Sequence, residues 1–207
     1  IESLRGASGY DTFTNNKLFY VTYASGSAGF IRAPIGDTSL VDSMSEWNHL
    51  AFTLKNRTGA AADKQIELKF YLNGALQETV NTGSTVGRVD TGPINANLGA
   101  YITEPPRSHS DITDGWGTIS GSFDEFRFWK KARNSDQIKK YWFTQVGAGT
   151  NTDKANTDLG VYYKFNEGIT STSSVDSNAL DYSGRVSNGT IINYVSSMRS
   201  TDSAINE

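Results

Sequence analysis

Residues 65–80 read QIELKFYLNGALQETV, and the fold class follows from them. Ile66, Leu68, Phe70 and Leu72 alternate with Gln65, Glu67 and Lys69, the period of two that sends successive side chains to opposite faces of a strand. The apolar set is expected to face a core and the polar set to face water. Asn73-Gly74 comes next. A two-residue type I′ turn needs positive φ at both central positions, which Asn and Gly tolerate. Ala75 to Val80 is the return strand. One antiparallel hairpin with a single buried face is the unit of a β-sandwich.

Similar runs, separated by turn clusters, lie on both sides. Lys17–Ala24 and Gly29–Ala33 read as strands. Trp47–Lys55 alternates with apolar groups on both faces, which predicts a central strand. Ile94–Tyr101 and Ile119–Lys130 are expected to follow as strands. Asn134 with Gln137 three residues on has the spacing of a capping box, and Ile138, Tyr141 and Trp142 then share a face. This predicts one short helix over about 135–143, its aromatic face covering an open end of the sandwich. Val146–Asp158 is a polar connector. Leu159–Asn166 and Gly189–Val195 read as strands, with a Ser/Thr-rich loop between them.

Composition agrees with this pattern. Gly, Ser, Thr and Asn make up 80 of the 207 residues, and aromatics reach 12%. Turn formers joined to bulky strand formers point to an all-β domain, and so many aromatics argue against disorder. There is no cysteine, which excludes disulfides, thiolate metal sites and a cysteine nucleophile. A net charge of -3 argues against nucleic acid as a partner, and no apolar run is long enough for insertion in a membrane. The chain begins at Ile1, and it is read as a piece of a longer protein.

Four segments in order resemble a known family. Trp47-Asn48-His49-Leu50-Ala51-Phe52-Thr53 is similar to the W-x-H-V-A-x-T strand of laminin-G-like domains. Phe70-Tyr71-Leu72-Asn73-Gly74 resembles their hairpin. Asn97-Leu98-Gly99 resembles the strand after it, and Gly121 to Trp129 their G-x-I-D-E-V-R-I-W strand. The resemblance covers about residues 45–143. It implies the concanavalin A-like lectin/glucanase superfamily, pentraxin-like laminin-G branch, and so an antiparallel β-sandwich jelly roll. Leu159 to Tyr194 is similar to the opening segment that usually precedes such a jelly roll. The tail also resembles segments of tailed-phage virion structural proteins, which implies a virion or extracellular location.

The superfamily includes glucanases, whose paired acids come from one strand as Glu-x-Asp-x-x-Glu. Asp124 lacks an acid two residues before it and three after it. Glu125 is its neighbour, expected on the opposite face, where Arg127 can pair with it. The two acids therefore do not flank one glycosidic bond as a retaining pair must. No G-x-S-x-G elbow, H-E-x-x-H or P-loop occurs. The chain is expected not to be an enzyme. Many relatives bind one calcium ion, so the resemblance makes Ca2+ the candidate cofactor, with Asp111, Asp114, Asp176 and Asp181 as loop oxygen donors. Loop aspartates also serve as Asx-turns. The candidate ligand site is the loop Thr103–Thr118, which holds Arg107, Asp111, Asp114 and Trp116, with Tyr101 at its base. A sugar needs an aromatic face and planar polar groups, and a long loop between strands is often functional. The plainer role for Trp116 is to cap the sandwich.

The expected function is a non-catalytic carbohydrate-binding or adhesion module of a larger surface or virion protein. Its partners would be a glycan or host-surface polysaccharide and the rest of the parent protein. The alternatives are a purely structural decoration domain and, disfavoured by the acids, a glycoside hydrolase. The expected organisation is one domain over 1–207, with 159–195 folding back to complete the sheets. The alternative is a jelly roll over 1–145 and the start of a second module over 158–207.

Overall fold

The Asn73-Gly74 turn adopts the conformation that its residues favour, with φ 49 and φ 76. It joins β5 (Ile66–Leu72) to β6 (Ala75–Thr82), and β4 (Leu50–Asn56) lies on the other side of β5, all antiparallel. In this computed structural model the described residues are 1–3, 17–25, 27–40, 46–57, 59–60, 64–87, 96–99, 121–146, 155–200 and 204–205. A first sheet holds β1 (Glu2–Ser3), β2 (Lys17–Ser25) and β3 (Ala28–Asp37), in that order and antiparallel.

The two sheets meet in one apolar core. Leu18, Phe19, Val21, Phe30, Ala33 and Ile35 come from the first, and Ile66, Leu68, Phe70 and Leu72 from the second. Phe19, Phe52 and Phe70 form a ring cluster with centroids 5.1–5.3 Å apart. Burying each such side chain stabilises the fold by about 1.5–3 kcal/mol. Polar bonds also tie the sheets together. Glu78 of β6 accepts from Lys17 Nζ at 2.6 Å and from the Gly36 amide at 2.8 Å. Gly36 takes φ 83 and has the Phe19 and Phe70 rings beside it, so a Cβ there is both strained and crowded.

Several expectations need correction. β3 runs on to Asp37, well past Ala33. The strand expected over Trp47–Lys55 starts only at Leu50, and among the described residues it pairs with β5. Of the expected Ile119–Lys130 strand the described part, 121–130, holds only β7 (Phe126–Trp129), because Glu125 stands at φ 54 and breaks the extended path. The tail strand expected at Gly189–Val195 is only β10 (Gly189–Thr190), paired with β9 (Asn178–Ala179). β9 and the single helical turn α3 (Ser173–Asp176) fall in the stretch expected to be loop. Of the Ile94–Tyr101 strand, only 96–99 are described, and they form no strand.

The helix α1 (Ser135–Tyr141) forms where predicted. Asn134 Oδ1 accepts from the Gln137 amide, and Gln137 Oε1 accepts from the Asn134 amide, which completes the capping box. Asp136 in the first turn and Lys139 and Lys140 in the last suit the helix dipole. After the turn α2 (Ala155–Asp158), β8 (Leu159–Tyr163) pairs antiparallel with β7, Phe126 opposite Tyr163 and Arg127 opposite Tyr162. The chain divides into two compact units, 1–86 with 123–207 and, separately, 87–122.

Candidate functional site

On the strand where glucanase relatives carry their acids, this chain builds a polar cluster. Alternation along β7 turns Arg127 to the same side as Tyr162 of β8. The φ 54 at Glu125 brings its carboxylate to that side too. Glu125 Oε2 accepts from Arg127 Nη2 at 2.7 Å and from the Tyr162 hydroxyl at 2.5 Å. Arg127 also donates to the carbonyls of Tyr141 at 3.2 Å and Thr144 at 2.6 Å, the C-terminal end of α1. Burial, together with the bond to Glu125, pushes the Tyr162 phenol well above its ordinary pKa. It stays a neutral donor at physiological pH. Trp129 and Tyr182 pack against Val146, Leu159 and Tyr162 around this cluster.

Asp124 is bound differently. Its Oδ1 accepts from the Glu125 amide at 3.0 Å and its Oδ2 from the Ala204 amide at 2.8 Å. Each acid has a separate set of protein donors. The expected Arg127–Glu125 pairing is present, with both side chains nearly buried.

The outer face of β5 carries a residue that the alternation assigned to the polar side. Tyr71 is buried, and its hydroxyl lies 3.0 Å from Ser135 Oγ at the start of α1. At the other end of α1, the Trp142 indole covers Gly74, where a Cβ would overlap it. The His49 ring lies 6.1 Å from that indole. Burial, with the Arg127 charge adding to it, lowers the His49 imidazole to about 4. The W-x-H pattern placed His49 in a strand, but β4 begins at Leu50, and the pattern gave no sign that the ring would meet the helix.

The tail acids act as loop staples. Asp181 accepts from the amides of Tyr162, Ser183 and Ser187 and from the Ser183 hydroxyl, at 2.9–3.0 Å. Burial raises its pKa, but these donors outweigh that and hold the carboxyl below its usual range. The Thr170 amide and hydroxyl do the same for Asp176, at 2.9 and 2.7 Å. Both oxygens of Asp181 face N–H or O–H donors, and so does the Oδ1 of Asp176. These bonds account for both acids as loop staples. Among the described residues no group of three or more acids and histidines could hold a metal ion. Arg199 was missed from sequence. Its guanidinium pairs with Glu167 at 2.8 Å and donates to the carbonyls of Asp176 and Asn178, almost fully buried.

The predicted ligand residues Tyr101, Arg107, Asp111, Asp114 and Trp116 lie outside the described residues.

No curated protein and no solved structure matches the chain. A family model of the laminin-G type, described as the concanavalin A-like lectin/glucanases superfamily, matches residues 7–139. The match begins well before the resembling segments at 45–143, and so takes in the β2–β3 hairpin. The β2–β3 and β5–β6 hairpins, β4, the β7 strand and the capped helix all lie in or at the edge of that span. The chain belongs to the concanavalin A-like lectin/glucanase superfamily.

Proposed function

We propose that this chain is a non-catalytic carbohydrate-binding or adhesion module within a larger surface or phage virion structural protein. The observation that supports this most is the state of the acids just before β7. Asp124 is held by two backbone amides, and Glu125 by Arg127 and Tyr162. A general acid must be free to give its proton to a leaving group, and a nucleophile must face the anomeric carbon. These carboxylates are instead parts of the scaffold. The loop with Arg107, Asp111, Asp114 and Trp116, and Tyr101 beside it, is the proposed sugar site.

The test is a glycan array probed with the natural chain and with Trp116→Ala. Binding to a defined set of glycans, lost in Trp116→Ala with the melting temperature unchanged, is the expected result. Reducing-sugar release from a β-glucan that disappears in Asp124→Asn would overturn the non-catalytic reading. A second reading, a decoration domain without a small ligand, is favoured by the bonds that Asp176, Asp181 and Arg199 make inside the tail. It predicts an empty array and a large melting shift in Trp116→Ala.

A further inference from the structure

His49 stands where the sandwich meets the helix. Its amide donates to Asn73 Oδ1 at 2.9 Å and its carbonyl accepts from the Asn73 amide at 2.9 Å, so the backbone is pinned to the hairpin turn. Its ring faces Trp142, and among the described residues its buried Nδ1 has no hydrogen-bond partner. A buried, unpartnered imidazole nitrogen is tolerable when it is neutral and costly when it carries a proton.

Among the described residues no carboxylate is bonded to the His49 Nδ1, and Glu46, three residues before it, and Asp136 in the first turn of α1 are both exposed. From β7 the nearby charge is Arg127, already paired with Glu125. From the hairpin and the segment before β4, Asn48, Asn73 and Gly74 are neutral. On β5, Tyr71 bonds Ser135, while Glu67 and Lys69 pair with each other at 2.8 Å. From α1 the facing group is the Trp142 indole, and the last-turn lysines, Lys139 and Lys140, are exposed. A second cation in this cluster would leave two positive groups for one carboxylate.

We propose that His49 is an acid-operated latch: on taking a proton, it opens the contact with Trp142 and frees the C-terminal turn of α1 while the sandwich stays folded. The α1 end suits this role. Beyond its own helical bonds, its ties here include Arg127 on the Tyr141 and Thr144 carbonyls and the indole lying on Gly74. The sign follows from linkage. An imidazole near 4 in the closed state and about 6.5 in the open one binds its proton more readily when open. Opening is therefore favoured as pH falls from about 6.5 toward 4, by about 10²-fold across that window. Such a device would let an acidic compartment or surface loosen one end of the module without unfolding it.

Hydrogen exchange on the full chain, corrected for the intrinsic pH dependence, tests the latch. The Trp142 and Thr144 amides, bonded to Ile138 and Tyr141, are the reporters, and the β5 amides are the reference. The expected result is a fall of about 10²-fold in reporter protection from about pH 7.5 to 4, with β5 unchanged. The fall should track the His49 imidazole titration followed by NMR in the same sample, and it should vanish in His49→Gln. Should that variant not fold, the coincidence of the two midpoints in the natural chain carries the test. An imidazole that titrates near 6.5, an equal loss of protection in β5, or a fall that persists in His49→Gln would each overturn it.

Discussion

Among the described residues between Lys17 and Val86 the side chains fully withdrawn from water include Val21, Ile35, Ile66, Leu68, Phe70 and Tyr71. Between Leu159 and Arg199 the most heavily bonded side chains are Asp181, Asp176 and Arg199, each gripping backbone groups of its own region. The front is held by apolar area on a period of two. The tail, where β9 and β10 have two residues each, cannot bury enough area that way and is held by polar side chains that satisfy the backbone. The contrast is between a region whose stability scales with area and one whose stability depends on a few atoms.

The comparison is broken most severely by cutting the chain after Asn151. The family match ends at Lys139, yet β7 has its only described strand partner in β8, and Tyr162 covers Arg127. We propose that the tail completes the same domain, so a fragment 1–151 should aggregate or melt far below the full chain. A soluble monomer as stable as the whole would show instead that the tail begins a separate module. Phe70→Ala comes next. It removes a ring with no exposed surface and should cost about 3–5 kcal/mol in a urea melt. A loss under about 1 kcal/mol would mean that the front is not held by packing.

Arg199→Ala tests the tail on its own terms. It strands Glu167 and two carbonyls, and should cost about 3 kcal/mol. The loss should appear as faster hydrogen exchange at 167–180, with β5 protected as before. Equal loosening of β5 would unite the two regions energetically. Asp181→Asn is the mildest change, about 1 kcal/mol at neutral pH. Because the folded carboxyl sits below its usual value, its stabilisation is present above about pH 4 and fades as pH falls through the folded pKa. The difference between the natural chain and the variant should shrink in acid, and a constant difference would mean that the carboxylate charge contributes nothing.

The same contrast explains what was legible in the sequence. Ile66, Leu68, Phe70 and Leu72 announce their face by spacing alone, Asn73-Gly74 its turn, and Asn134 with Gln137 its helix start. Each signal is local. Tyr71 was hidden because alternation gave it to the polar face, and only the arrival of α1 buries it. Phe123, Asp124 and Glu125 continue the β7 pattern in sequence, but the left-handed Glu125 ends it, and no residue-type rule foretells a glutamate at φ 54. In the tail, Ser, Thr, Asn and Asp read as loop because they compete with regular backbone bonding, which is also how they build this region. The pairing of Glu125 with Arg127 was readable from spacing. The Tyr162 hydroxyl that completes Glu125's bonding was not, since it comes from a strand 37 residues away.

The pairing of β7 with β8 has a consequence for how the protein is made. Phe126, Arg127, Phe128 and Trp129 leave the ribosome well before their partners, since Tyr163 lies 34 residues beyond Trp129. At about 5–20 residues per second, that strand waits on the order of 2–7 s with its edge open. A short aromatic strand in that state is an invitation to pair with another nascent chain. Lys130 and Lys131 follow it directly and Arg127 interrupts it. Their charges repel a second copy during the wait, the gatekeeper placement that keeps an unavoidable sticky segment in solution until its own chain arrives.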